Sequence, residues 1–387
     1  MANSTRTKQK KPAKPRPDFP LFPHANGRWA KKVRGKFVYF GKWADDPKGK
    51  AALDLWLDQR DDLLAGRTPR VDADDLTIRD LCNRFLTAKE TQRDAGDITP
   101  RTFADYLATC KLIVESFGKN RLVDDLVADD FEQLWAALAK TRNPNTLGNE
   151  VQRIRTTFKY AYDAGVVEHP IRFGPTFKRP AKHILRAIRQ KKGPRMFEAQ
   201  ELRRIIDVAD QPLKAMIMLG INAGFGNADC GTLPMSALDL DNGLVDYPRP
   251  KTAVERRCPL WPETIEAIRE AMGSRPKAKL HEHTHLAFIT KYGLPWAKAT
   301  SDNPISQEMR KLLDKFKLHR PGLGFYALRH TFETIAGETR DQVAVNHIMG
   351  HTDASMSAHY RERISDQRLV DVVTFVRAWL FTKGKKQ

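Results

Sequence analysis

Between Pro170 and Arg195 the chain carries six backbone breakers: Pro170, Gly174, Pro175, Pro180, Gly193 and Pro194. Proline lacks an amide donor and fixes φ, and glycine weakens regular structure, so no long helix or central strand should run through this stretch. Lys178, Arg179, Lys182, Arg186, Arg189, Lys191, Lys192 and Arg195 lie among the breaks. The segment 170–195 therefore predicts a basic linker between two bodies. With 387 residues the chain is also too long for one ordinary core, which points to two or three domains.

The part before the linker divides again. Arg28–Val33 and Lys36–Phe40 are rich in β-branched and aromatic residues around the turn signal Arg34-Gly35, and Phe19–His24 adds a third candidate strand. Lys48–Leu64 follows with helical periodicity, its apolar face formed by Leu53, Trp56, Leu57 and Leu64. Gly66–Asp75 reads as a short polar connection. Residues 76–169 then predict helices throughout: Ile78–Lys89 behind a Thr77 cap, Arg101–Phe117 behind Thr99-Pro100, Val127–Ala139 and Asn145–Ala164. Beyond the linker, 196–387 mixes helical patterns with strands at Gly243–Leu260, turning near Lys251-Thr252, and at Leu286–Trp296. The whole predicts a mainly α chain with a small β component.

Charge indicates the class of partner. Lys and Arg number 66 against 47 Asp and Glu, a net charge of +19. An excess this large suits a polyanion. Residues 1–40 hold 11 Lys/Arg and a single acid, Asp18. Residues 1–18 predict a disordered basic tail, which gains affinity for a nucleic acid by releasing counterions. Arg28, Lys31, Lys32, Arg34 and Lys36 could bring a strand face to a groove, and Arg153, Arg155 and Lys159 add basic positions on the last helix before the linker. Cys82, Cys110, Cys230 and Cys258 are scattered without a C-x-x-C pair, as expected of reduced thiols. No apolar run approaches the ~20 residues of a membrane helix, and the basic N-terminus has no apolar stretch behind it, so neither a membrane partner nor a secretory signal is expected. His281, His283 and His285 alternate and would share a face on a strand, but no Cys cluster or H-x-x-x-H supports a metal, and none is expected.

The motifs lie near the C-terminus. Tyr326-Ala-Leu-Arg329-His330-Thr-Phe precedes Met349-Gly350-His351, and Tyr360 follows nine residues later in Ala358-His359-Tyr360-Arg361. Upstream lies Arg249-Pro250-Lys251-Thr252, then Arg256-Arg257-Cys-Pro-Leu260. In these segments the sequence resembles the tyrosine recombinases of the phage-integrase family. The resemblance covers 197–375 by motif and 76–169 by architecture, and is weaker over the first 65 residues. It implies an arm-type β-sheet plus helix module (19–65), an α-helical core-binding, SAM-like domain (76–169) and a mixed α+β catalytic domain (196–387). It also implies that Tyr360 is the nucleophile, Arg329 and His351 bind the phosphate, Lys251 protonates the leaving oxygen, and Tyr326 fills a position usually held by histidine. In the family a tyrosine hydroxyl displaces the 5′ hydroxyl of a backbone phosphodiester. The 3′-phosphotyrosine link stores the bond energy, so no cofactor or ATP is needed. Planar guanidinium groups suit the charge on the nonbridging oxygens.

One departure carries a functional expectation. The family's first arginine lies in a segment that here reads Gly224-Phe225-Gly226-Asn227-Ala228-Asp229, with Gly226 in the arginine position. Two functions follow: a site-specific recombinase or integrase, or a recombinase-derived DNA-binding protein with weakened or lost cutting. A type IB topoisomerase shares the chemistry but fits the preceding helical domain less well. The resemblance further implies double-stranded attachment sites as partner, a homotetramer on DNA with the C-terminal helix Gln367–Phe381 docking on a neighbour, possible accessory DNA-bending proteins, and a cytoplasmic, nucleoid-associated location.

Overall fold

The computed structural model describes residues 11–66, 69, 76–298, 303–353 and 355–382. Residues 1–10 of the expected basic tail and most of the 66–75 connection lie outside them. The chain divides into two compact units at Arg186/Ala187.

The first unit begins with a small antiparallel sheet of β1 (Phe22–Pro23), β2 (Arg28–Val33) and β3 (Lys36–Lys42) in the order β1-β2-β3. Arg34 and Gly35 have φ of 49° and 84°, the left-handed pair that a two-residue hairpin turn requires. The sheet packs on α1 (Lys50–Ala65) through Phe19, Leu21, Trp29, Phe40, Ala52 and Trp56. The expected apolar face of that helix needs correction. Trp56 and Leu53 face the sheet, but Leu57 and Leu64 are 49% and 55% exposed, and Ala52 and Leu63 complete the buried face. A three-stranded sheet covers only a narrow stripe of the helix.

The helical bundle comprises α2 (Ile78–Asp94), α3 (Pro100–Phe117), α4 (Ala128–Thr141) and α5 (Pro144–Asp163). Thr77 and Asp80 form a capping box on α2, and Thr99 caps α3 ahead of Pro100. Phe85, Ile113, Phe131, Val151, Ile154 and Phe158 are fully buried in its core.

The segment 170–195 differs from a plain linker. Its first part straps the bundle: Phe177 is fully buried, 5.3 Å from Phe131, and the Trp135 indole donates to the Lys178 carbonyl. Its middle forms α6 (Lys182–Lys191) with no buried residue. The helix occupies the one stretch without a breaker, between Pro180 and Gly193.

The second unit contains α7 (Ala199–Val208), α8 (Leu213–Asn222) and α9 (Asn227–Gly231), a sheet of β4 (Leu238–Asp239), β5 (Leu244–Asp246) and β6 (Arg257–Pro259), then α10 (Pro262–Gly273), α11 (Pro304–Lys315), α12 (Ala327–Ala336), α13 (Gln342–Met349), α14 (Met356–His359) and α15 (Asp366–Phe381). The buried α8 forms the centre, packed by α10, α12 and α15. One expectation is narrowed. The hairpin expected over Leu286–Trp296 is reduced to a tight turn at Thr290–Gly293 closed by the single antiparallel bridge Ile289 to Pro295, while Leu286 bridges to Pro234. His281–His283 forms a 3-10 turn, so the alternating histidines share no strand face. No set of three metal-binding side chains occurs among the described residues.

A second correction concerns the surface of α15. Leu369, Val372, Val373, Val376 and Leu380 are all buried in the unit's own core, and only Val370 of the expected docking surface is exposed. Burying each such aliphatic contributes ~1.5–3 kcal/mol relative to leaving it exposed. Polar contacts reinforce it: the Trp261 indole donates to the Val373 carbonyl, Arg377 pairs with Glu263 and Arg257 with Asp366. No helix among the described residues is long and apolar enough to cross a membrane.

Candidate active site

Arg329 organises the centre of the second unit. It lies on the first turn of α12 and is only 3% exposed. Its Nη1 donates to the Gly224 carbonyl and its Nη2 to the Met349 carbonyl, both at 2.6 Å. One guanidinium thus ties the turn after α8 to the end of α13. Gly224 has φ +63°, and a Cβ there would press on the side chains of Met349 and Phe332 at 3.2 and 3.3 Å, so glycine is needed for both conformation and space. Burial, then the neighbouring charge of Arg249, lowers the Arg329 pKa to about 10, and the group stays cationic at neutral pH.

His351 follows Gly350, the left-handed cap of α13. It is half-buried, and its Nδ1 lies 3.8 Å from Glu333 Oε2, an electrostatic contact too long for a hydrogen bond. Burial and the charges of Arg329 and Arg249 hold the imidazole pKa below its usual value, against the opposing pull of Glu333. Glu333 lies one helical turn beyond Arg329. Sequence reasoning overlooked it, although the i, i+4 spacing in Arg329-His-Thr-Phe-Glu333 places both on one side of α12.

Tyr326 and Gly226 belong together. The Tyr326 ring lies over Gly226: a Cβ on that glycine would meet ring carbons at 3.1 and 3.2 Å. The ring also packs edge-on to His330 at 5.5 Å. The Gly226 amide donates to Asp229 Oδ2 at 2.6 Å, and Asp229 Oδ1 accepts from Arg256 at 2.9 Å. Arg256 is 3% exposed, donates to the Tyr247 carbonyl and stacks on Phe225 at 4.0 Å. Arg257 turns away to Asp246 and Asp366.

The remaining catalytic candidates are exposed. Lys251 lies in the loop between β5 and β6, where Thr252 and Ala253 amides both donate to the Arg249 carbonyl. Tyr360 closes α14 and is 74% exposed. The structure therefore gathers Arg329, His351 and Tyr326 into one region, with Lys251 and Tyr360 on solvent-facing segments.

The basic positions of the first unit have varied surroundings. Arg28, Lys32 and Lys36 are exposed on the sheet or its turn. Lys31 leans toward α1, its Nζ 5.5 Å from the Trp56 ring centre, and the Arg34 guanidinium lies against Gly66 at the end of that helix. Beside Lys32 the outer sheet face presents Phe22, His24, Phe37 and Tyr39 in mutual ring contact, a cluster that sequence reasoning did not single out. In the bundle, Arg153 is held by Glu150, Asp105 and the Thr109 hydroxyl; Arg155 donates to the Phe177 carbonyl and stacks on Phe173; Lys159 is exposed and paired with Asp163. Arg153 and Arg155 thus have internal structural work.

Comparison with curated protein sequences finds no significant match. Solved structures do match. A lambda integrase dimer bound to a COC′ core site aligns with TM-score 0.57 at 14% identity, over 90% of this chain and 96% of that one. A lambda integrase tetramer bound to a Holliday junction aligns with TM-score 0.56 at 14% identity, over 91% and 98%. The Tn1549 transposon integrase in complex with transposon right end DNA aligns with TM-score 0.56 at 17% identity, over 78% and 100%. At such low identity these superpositions show a shared fold and nothing more. Residues 195–366, which hold Arg329, His351, Lys251, Tyr326 and Tyr360, match the profile of the phage integrase family. The chain thus carries, over residues 195–366, a domain that matches the phage integrase family.

Proposed function

We propose that this chain is a site-specific DNA recombinase that cuts and rejoins double-stranded attachment sites through a 3′-phosphotyrosine intermediate. The observation that carries the proposal is the Arg329 guanidinium, anchored by two backbone carbonyls beside a half-buried His351 within a phage integrase domain. The Tyr360 hydroxyl attacks the scissile phosphorus and gives up its proton to neutral His351. The phosphorus–O5′ bond breaks, and the leaving 5′ oxygen takes a proton from Lys251. A 5′ hydroxyl from the partner strand then attacks the phosphotyrosine, releases Tyr360 and seals the new junction. The phosphodiester count is conserved, so no external energy source enters. Arg329 neutralises the nonbridging oxygens, and Tyr326 presents a hydroxyl to the same group. Four protomers on two duplexes, accessory DNA-bending proteins and a nucleoid location belong to the same proposal. A second reading, DNA binding without cutting, draws on Gly226. Incubation with a nicked duplex that traps the cleaved strand separates the two: the recombinase yields a protein–DNA band that survives denaturation, and the binder yields none.

The site has a pH signature. Neutral His351 can both accept and donate, and its depressed pKa keeps it neutral at pH 7. Cleavage should hold at pH 7 and fall as pH drops through that depressed value, below the usual 6.5. The charged groups facing it are Arg329, Arg249 and Glu333. Protonation also favours the unfolded chain, whose histidine binds a proton more readily, so stability falls in the same window. A rate profile of His351→Gln should lack this acid limb; an unchanged limb would assign it to another group.

The first unit should grip flanking DNA. Lys32, Arg28 and the aromatic face of the small sheet suit phosphate and groove contacts. Deleting residues 1–65 should weaken binding to long sites and flatten its salt dependence by about 0.9 per lost phosphate contact. An unchanged slope in a salt titration would remove the module from the interface.

A further inference from the structure

We propose that Arg249 supplies the second guanidinium at the scissile phosphate, in place of the side chain that Gly226 lacks. The proposal rests on the recombinase reading above. Its basis is the end of α13. The Met349 carbonyl accepts Arg329 Nη2 at 2.6 Å, and the next carbonyl, that of Gly350, lies 3.5 Å from Arg249 Nη1. The following residue is His351. Three consecutive residues thus collect two guanidinium groups and an imidazole at one place.

Gly350 permits the approach. Its φ is +61°, and a Cβ there would come within 2.9 Å of Arg249 Cβ and 3.4 Å of Arg249 Cδ. The Arg249 stem therefore runs across the bare glycine toward Arg329. Its backbone is fixed as well, because its amide donates to the Val254 carbonyl at 2.9 Å and closes the hairpin that carries Lys251.

The charges near this point are unbalanced. Among the described residues, no carboxylate lies within ion-pair distance of Arg249 or Arg329, whereas Arg256 is paired with Asp229 and Arg257 with Asp246 and Asp366. Two neighbouring cations without a carboxylate repel, and an anion between them relieves the repulsion. Arg256 is enclosed, with Nε on the Tyr247 carbonyl, Nη2 on Asp229 and its unpartnered Nη1 buried away from solvent, and Arg257 faces elsewhere. Arg249 is half-exposed, and its 3.5 Å contact is too long to commit its donors, so it can meet a phosphate arriving from solvent. The Tyr326 ring over Gly226 occupies the space into which an arginine side chain would grow there. The second cation therefore has to come from another element, and the β5–β6 hairpin provides it.

The test uses the full-length protein and a nicked duplex carrying the junction sequence that flanks its own gene, with either a normal scissile phosphate or a methylphosphonate. Arg249→Ala should lower the rate of covalent adduct formation by about 10²–10³ on the normal duplex, the effect of losing one preorganised charged donor. Arg249→Lys should fall between, since it keeps the charge and loses the fork. Arg257→Ala should stay within about 3-fold of wild type, its ion pairs being peripheral. The methylphosphonate has lost one nonbridging charge, so there the gap between wild type and Arg249→Ala should shrink at least about 10-fold. A misfolded variant would be equally slow on both substrates. Arg249→Ala within about 3-fold of wild type, or an equal deficit on both duplexes, overturns the assignment and leaves the recombinase reading standing. Absence of any adduct from wild type overturns the recombinase reading, and the role of Arg249 falls with it.

Discussion

Tyr360→Phe should abolish covalent capture of DNA while leaving duplex affinity within about 3-fold, because one hydroxyl adds little to binding spread over many phosphates. The change removes only the attacking oxygen. Tyr360 is 74% exposed, so the phenyl ring of the variant replaces no core contact, and folding should be unaffected. A gel of denatured reaction products is sufficient: the slow-migrating adduct of wild type disappears in the variant. An adduct that persists in Tyr360→Phe would place the nucleophile elsewhere.

Arg329→Ala should be the next most damaging change, lowering the rate of adduct formation by at least about 10²–10³ through loss of a preorganised phosphate donor. It should also destabilise the fold. Arg329 is 3% exposed and satisfies the Gly224 and Met349 carbonyls, and a buried carbonyl left without a partner costs about 1–3 kcal/mol. Two effects in one variant need separating. Arg329→Lys keeps the positive charge and can hold at most part of the carbonyl clamp, since an ammonium lacks the planar fork. Thermal unfolding should therefore rank wild type above Lys above Ala, while both variants cut slowly. A lysine variant that cuts at the wild-type rate would show that point charge is sufficient and that the bidentate geometry is not used.

Local patterns were legible wherever local chemistry decides structure. Thr77, Thr99 and Pro100 mark helix starts, and Arg34-Gly35 marks a turn, because caps and left-handed φ depend on a few adjacent residues. The motif Tyr326-Ala-Leu-Arg329 and the spacing to His351 were equally readable, since a phosphate site needs fixed residue types. What failed depended on distant packing. Leu57 has helical spacing with Leu53, and Leu64 with Leu57, yet the sheet that covers α1 is too narrow to reach Leu57 and Leu64. The apolar stripe of α15 is real, but α7, α12, α13 and β6 of the same chain occupy it. Periodicity reveals that a face is buried and says nothing of the element that buries it. The segment 170–195 shows the same limit: breakers mark its ends, while Phe173 and Phe177 bind it to the bundle through contacts with Phe131, far away in sequence.

The site divides along the same line. Arg329 and His351 were legible as residue types. The pairing of Tyr326 with Gly226 was not, because the two lie 100 positions apart and only the fold lays the ring over the glycine. Taken separately, a missing arginine and a tyrosine in a histidine position are two departures from the family pattern. Packed together, they are one rearrangement of the same volume. Likewise, Arg249, Arg256 and Arg257 are equivalent as basic residues on a hairpin. Their partners distinguish them: Asp229 neutralises Arg256, Asp246 and Asp366 hold Arg257, and Arg249 alone of the three points its charge toward Arg329 without a carboxylate.

Transfer of a DNA strand onto Tyr360 can be read from mass spectrometry of the trapped adduct. Wild-type protein is incubated with the nicked duplex, denatured, and digested with protease and nuclease. One modified peptide is expected, containing Tyr360 linked through its phenolic oxygen to a 3′-phosphoryl nucleotide remnant. Linkage to any other residue, or no linked peptide from a protein that binds the same duplex, would contradict it.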